Sequence, residues 1–326
     1  MGAHVLCRLL LSAPAALMLL VAGPARSAER RSMWVDAYSG EPVLYDDVLD
    51  DLAQARVVYL GEIHTISRHH AWQQRIVEDL AGPGRKLLLG IEQMEAFNQP
   101  ELDRYNRCEV GFDELARRTD WAKRWANFRD YAGIIEAARR HGAPVIALNA
   151  RAETIREVGR KGLAGLAPEQ RRELPPEMSL DDPPYEKLLG LRLQVHAMMP
   201  PERLRAVFEA QVARDEEMAA VLSSALQTGE GKGRLAVVIC GAGHVSYGLG
   251  VPTRVRGRLA GVTDRIVLFS ESGDLVLSAK ERAMAREVRT THDDLRFLPA
   301  PVADYLSVRE LPRGASKGKE GAPESG

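Results

Sequence analysis

The sequence predicts an α/β fold with a mainly parallel central sheet, flanked by helices and carrying a helical cap insertion. Three observations predict it. Short apolar runs rich in β-formers recur at Val57–Leu60, Leu87–Leu89, Val145–Leu148 and Leu235–Cys240. The segments between them carry helical spacing, the alternation expected of βα units. Each run is apolar on consecutive residues, as strands covered on both faces are.

The first run, Arg56-Val57-Val58-Tyr59-Leu60-Gly61-Glu62-Ile63-His64, stops at a glycine and delivers a carboxylate and an imidazole two residues apart. While the chain stays extended, those two side chains point the same way. Trp72, Ile76, Val77 and Leu80 then recur at helical spacing from Ser67, and Gly82-Pro83-Gly84 ends that helix. The second strand, Lys86 to Met94, exits on Glu92. Several helices fill residues 98 to 141, the last stopping at His141-Gly142 before Pro144. Trp121 and Trp125, one helical turn apart, are expected in packing rather than as a stacking platform. The third strand, Pro144 to Leu148, ends on Asn149.

From about 152 to 229 no segment has strand character, and a connection this long in a compact domain is expected to be structured. It is taken as a helical cap over the strand ends. The fourth strand, Arg234 to Cys240, exits on Gly241-Ala242-Gly243-His244, repeating the Gly-x-x-His of the first exit. Arg265 to Phe269 and Ala303 to Val308 supply a fifth and a sixth strand. Beyond Leu311 the Gly, Ser, Lys and Glu composition has no periodicity and is expected to be disordered.

The chain has 326 residues, 45% of them hydrophobic, enough for a substantial core. Its formal net charge of −1 excludes the overall basic field that holds nucleic acid through phosphate contacts. A basic start, a short apolar core and Ala25-Arg26-Ser27 predict an export signal over 1–27, and so a periplasmic or other exported location. The α/β domain then occupies 28–310, followed by the tail 311–326. Pro14 and Pro24 break the apolar run, which is too short to span a bilayer, so no membrane anchor is expected. Cys7 precedes the apolar core, where a lipid-bearing cysteine would follow it, and Cys108 and Cys240 are too few for a disulfide framework.

In a parallel sheet the strand exits share one edge, where ligands gather. Glu62, His64, Glu92, Asn149 and His244 therefore converge on one rim. Two imidazoles and two carboxylates suit either a divalent metal ion or acid and base work without one. The candidate metal set is His64, His70, His244 and Glu92, with His70 contributed by the following helix.

An ordered set of motifs carries a family resemblance. Leu60-Gly61-Glu62-x-His64, His69-His70-x-x-Gln73, Glu92-x-Met94, Gln99, Trp121-x-x-x-Trp125, Tyr131, Asn149-Ala150, Ala210-Gln211-x-x-x-Asp215-x-x-Met218-Ala219 and Gly241-x-Gly243-His244-x-x-Tyr247-Gly248-x-Gly250-x-Pro252 occur in this order. Over roughly residues 55 to 256 the chain resembles the ChaN family of haem-binding proteins, in a superfamily shared with the Tiki proteases. The resemblance implies haem binding, export and a part in haem and iron acquisition. Haem asks for an apolar surface, cations for two propionates and an iron ligand. The cap offers Tyr185, His196, Met198 and Met199 as axial candidates, with Arg192 and Arg203 nearby in sequence, and a homodimer is a further expectation. A methionine pair at this spacing serves equally as core. The competing class is a metal-dependent hydrolase of the Tiki type. There Glu62 or Glu92 would be the general base, and His64 and His244 would be ligands or acid and base. Whether the protein is an enzyme stays open at this level.

Overall fold

The computed structural model describes residues 32–82, 84–193, 200–228, 231–270 and 290–309. Eight strands are described: β1 (Ser32–Asp36), β2 (Pro42–Val43), β3 (Val57–Glu62), β4 (Leu87–Glu95), β5 (Val145–Asn149), β6 (Leu235–Gly241), β7 (Asp264–Ser270) and β8 (Tyr305–Arg309). They form one sheet in the order β2-β1-β8-β7-β3-β6-β4-β5. From β8 to β5 every pairing is parallel, and β1 is antiparallel to both its neighbours. The six strands expected from the sequence are all present, within about two residues of their expected ends. The β1–β2 hairpin was not foreseen. In β1 only Trp34 is buried, so the strand lacks the continuous apolar run that identifies the others.

Alternate residues of the central strands feed two cores, as the period of two requires. Val58, Leu60, Leu89, Ile91, Val237 and Ile239 face one core. It is closed by the helices α1 (Tyr45–Leu52), α2 (Ser67–Leu80), α3 (Gln99–Asn106), α4 (Phe112–Arg118), α5 (Trp121–Arg124) and α6 (Ala132–Arg140). Val57, Tyr59, Leu88, Val238 and Cys240 face the other.

The connection from β5 to β6 runs through α7 (Ala152–Lys161), α8 (Pro168–Arg171), α9 (Pro183–Leu193) and the 27-residue α10 (Pro201–Gln227). No strand interrupts it among the described residues. It is more than a cap, however. Met218, Ala219, Leu222 and Leu226 of α10 pack directly on the sheet's second face, so the C-terminal half of this helix is an ordinary crossover helix. The N-terminal half rises above the sheet, where Phe208 and Val212 pack with Tyr185 of α9. After β6, α11 (Val251–Arg258) completes the second layer, and a one-turn helix, α12 (His292–Leu295), precedes β8. No described helix is long and apolar enough to cross a membrane. The expected signal, 1–27, and the expected tail, 311–326, lie outside the described residues.

Register places the site. Glu62 of β3 lies beside Gly241 of β6, so the two Gly-x-x-His exits emerge level with each other. Gly61 lets them pack: a Cβ there would lie 2.4 Å from Leu268 Cδ2 and 2.9 Å from Val245 Cγ2.

Candidate functional site

At the carboxyl edge of the sheet, Glu62 and Glu92 are 2% and 1% exposed. Burial alone would neutralise both, so each depends on the donors around it. Glu62 accepts through Oε1 from Tyr131 Oη at 2.6 Å, His64 Nδ1 at 2.8 Å and Gln93 Nε2 at 3.0 Å. Its Oε2 lies 3.2 Å from His70 Nε2. Burial raises its pKa, but the donors His64, His70 and Tyr131 outweigh that and hold it at about 2.

Glu92 sits two strands further along, on β4, with β6 between. Its Oε2 accepts from the Gly241 N–H at 2.6 Å, and its Oε1 lies 3.3 Å from His244 Nε2 and 4.0 Å from His64 Nε2. Here too burial works against ionisation, and the nearby His244 and His64 overcome it, holding Glu92 at about 2. His244 donates from Nδ1 to Asp215 Oδ1 at 2.5 Å. Asp215, fully buried on α10, takes the Tyr185 hydroxyl on its other oxygen at 2.8 Å. Burial depresses the His244 pKa, but the charges of Glu92 and Asp215 reverse this and push it up to about 10.

His64 joins the two halves. Its ring donates to Glu62, points its other nitrogen toward Glu92 and packs edge-on against Trp125, 4.9 Å between centroids. Its side chain is 36% exposed, against 8% or less for Glu62, Glu92, His70, His244 and Asp215. Solvent and ligands therefore meet the network at His64. The ring fits because position 241 is glycine: a Cβ there would lie 2.9 Å from His64 Nε2.

Of the expected rim, Glu62, His64, Glu92 and His244 come together, joined by His70 from α2, whereas Asn149 at the end of β5 lies beyond Glu92 and lines a separate cavity with it. His69 does not join it; its Nδ1 accepts the Ile63 N–H at 3.0 Å, and its ring packs on Phe269. Trp121 is buried and donates to the Gln93 carbonyl at 2.6 Å, the packing role expected of it. Tyr185 lies within the network, its hydroxyl given to Asp215, and burial pushes its pKa up. Arg192 is exposed, and its Nη1 would lie 3.7 Å from a Cβ at Gly243. His196, Met198 and Met199 lie outside the described residues. Among the described residues no group of three or more His, Cys, Asp and Glu is placed to hold a metal ion.

Three partners had no assigned role from sequence: Asp215, Tyr131 and Gln93. Asp215 and Tyr131 stood in the motif set, but a polar residue within a helix has no strand exit to mark it. Tyr247 belongs with them. It lies just past His244 with φ of 62°, an uncommon conformation for a bulky residue, and its N–H donates to the Val302 carbonyl at 2.8 Å.

An α/β sheet whose carboxyl edge carries paired histidine–carboxylate exits from two Gly-x-x-His turns defines the class. The chain belongs to the haem-binding uptake family of the Tiki superfamily, ChaN, matching it over residues 48–255. Among solved structures it is similar to ChaN of Campylobacter jejuni, described with cofacial haem binding, at 19% identity and a TM-score of 0.64, covering 86% of this chain and 97% of that one. That likeness shows the fold. Weaker similarity extends to an erythromycin esterase mutant, EreC, in its open conformation, at 12% identity and a TM-score of 0.43, covering 73% of this chain and 77% of that one. A succinoglycan biosynthesis protein gives 12% and 0.43, covering 76% and 74%. No curated protein matches.

The electrostatics predict a stability profile. Glu62 and Glu92, held at about 2 against the ordinary 4.5, contribute stability that is present above pH 4.5 and lost as pH falls toward 2. His244, raised from 6.5 to about 10, contributes stability that is full below pH 6.5 and lost as pH rises toward 10. Urea unfolding across pH is therefore expected to give greatest stability between pH 4.5 and 6.5. Asp215→Asn removes one of the charges that raise His244, so its titration, followed by NMR, moves down by about a unit or more at a cost of about 3–5 kcal/mol. An unchanged His244 titration in that variant would contradict the assignment.

Proposed function

We propose that the chain binds haem against the outer edge of this rim and acts as an exported protein in haem and iron acquisition. One observation carries the placement. Of the five large hydrophobic side chains that stand exposed among the described residues, two are at strand exits of the rim, Ile63 after β3 at 40% and Phe97 after β4 at 42%. Phe97 is flanked by the guanidinium groups of Arg124 and Arg151, 5.0 and 4.1 Å from its ring centroid. Both guanidinium groups are paired with protein carboxylates, Arg124 with Glu95 and Glu153 and Arg151 with Glu173, so their flat faces extend the apolar surface, and with a half-exposed imidazole nearby this suits a planar apolar ligand.

The residues fit the group. Ile63 and Phe97 would lie against the porphyrin, and Arg192, which has no carboxylate partner among the described residues, would face a propionate. The iron, when bound, supplies a centre that accepts one or two protein ligands. Tyr185 is a poor donor to it, because its hydroxyl is given to Asp215 and burial keeps it protonated. His196, Met198 and Met199, outside the described residues, remain the axial candidates of the cap. A single rim covers one porphyrin face, so a second copy of the chain, as a homodimer, would cover the other.

Hemin titration of the purified protein is expected to give a Soret band. Ile63→Asp should weaken binding about tenfold with little effect on unfolding, because the side chain is exposed. His196→Ala should shift the band, and Glu92→Gln should leave it nearly unchanged. Absence of a Soret shift in the parent protein would overturn the reading, and loss of binding in Glu92→Gln alone would move the iron to the rim. Export predicts a mature protein beginning near Ala28, and a recovered mass retaining residues 1–27 would contradict it.

A second reading, a hydrolase, is favoured by His64 itself, with Nδ1 on Glu62 and Nε2 across 4.0 Å from Glu92. That is the arrangement of a general base with its orienting carboxylate. The Tiki-type version, with a divalent metal on His64, His70, His244 and Glu92, does not fit this arrangement: His70 faces Glu62, and among the described residues no group of three or more His, Cys, Asp and Glu is placed to hold a metal ion. Ester or peptide hydrolysis lost in Glu92→Gln without change in the Soret band would establish the hydrolase reading beside haem binding.

A further inference from the structure

Behind the rim, on the side of Glu92 away from β3, lies a largely enclosed cavity of about 80 Å³. At roughly 30 Å³ per water in the liquid, it holds about two or three waters, or one carboxylate on a short stem. Its wall is polar and in large part unpaired. Asn149 at the end of β5 and Asn98 after β4 are 6% and 8% exposed and line this space, and neither side chain is hydrogen-bonded to another of the described residues. Arg214 of α10, next to the residue that holds His244, also lines the cavity and has no carboxylate partner among the described residues.

Buried amides and a half-buried guanidinium without partners are costly unless something occupies the space. The wall's own carboxylates do not answer them. Glu92 is engaged by the Gly241 N–H and His244, and Glu95 by the Ala152 N–H at 2.8 Å and by Arg124 at 2.5 Å. What remains on the wall is one guanidinium, the amide groups of Asn98 and Asn149, the buried Trp125 Nε1 donor and one buried acceptor, Gln93 Oε1, so N–H donors outnumber acceptors and the guanidinium brings a positive charge. That set matches a carboxylate, whose two oxygens accept about four hydrogen bonds between them.

We infer that this chamber is a carboxylate-binding site, with Arg214 as the charge partner and Asn149 and Asn98 completing the donor set. Two sources share the chemistry: a propionate arm of haem, which rests on the haem reading above, and a free short-chain carboxylate. Asn149 and Arg214 are positioned from two elements, β5 and α10, so the site depends on the crossover that seats α10 on the sheet.

Three titrations test it, using the full chain. Hemin and haem dimethyl ester are titrated by Soret absorbance into the parent, Arg214→Gln and Arg214→Lys, and carbon-13 propionate is titrated by NMR into the same proteins. Circular dichroism controls for folding. If the chamber takes a haem propionate, Arg214→Gln weakens hemin about tenfold or more, leaves the dimethyl ester unchanged, and Arg214→Lys restores much of the loss. If it takes a free carboxylate, the parent binds propionate and Arg214→Gln does not, whatever hemin does. Equal hemin affinity in parent and Arg214→Gln, with no propionate binding by the parent, overturns the proposal while leaving haem binding intact. Should Arg214→Gln fail to fold, Asn149→Leu replaces it, with the same outcomes expected at smaller amplitude. Failure of the parent to bind hemin would overturn the haem reading alone, because the propionate arm still decides the chamber.

Discussion

Two carboxylates lie almost entirely out of water at the carboxyl edge of the sheet, and keeping both ionised there is the constraint on which the rest of the site depends. An uncompensated buried carboxylate costs several kcal/mol and takes up a proton instead. Glu62 stays charged because α2 brings His70, the segment before α6 brings Tyr131, and its own exit brings His64. Glu92 stays charged because β6 turns its Gly241 N–H inward and α10 carries Asp215 up to hold His244. The two sets come from helical layers on opposite faces of the sheet, and they meet only at the rim.

The position of α10 follows from the same demand. Its C-terminal half is an ordinary crossover helix, buried on the sheet through Met218, Ala219, Leu222 and Leu226. That packing fixes the helix, and one turn earlier it presents Asp215 to His244. A cap resting loosely over the strand ends could not hold a carboxylate at hydrogen-bond distance from a buried imidazole. Fold and site are therefore linked through one helix, and the stability of the second core sets the geometry of the rim.

Much of this was legible in the sequence, for a physical reason. Parallel strands are apolar on consecutive residues, so a Glu or His at their ends stands out, and Glu62, His64, Glu92 and His244 all do. Their partners are not marked in this way. Asp215 lies in a helix rich in Arg and Glu, where an acidic residue normally faces water, and its complete burial depends on tertiary packing. The β1–β2 hairpin was hidden because a short edge strand with one buried residue has no pattern to detect. The cap's relation to the sheet was hidden because the second half of the long helix is apolar on consecutive residues, Met218-Ala219-Ala220-Val221-Leu222, so no narrow stripe marks the face seated on the sheet.

The central claim is that both exits form one network, joined where His64 bridges Glu62 and Glu92. A double-mutant cycle on His64→Ala and His244→Ala, with the free energy of unfolding measured by urea at pH 5.5, tests it most directly. The network predicts non-additive losses, with a coupling energy of about 1 kcal/mol or more. Losses that add to within about 0.3–0.5 kcal/mol would show the two exits acting independently and would contradict the account.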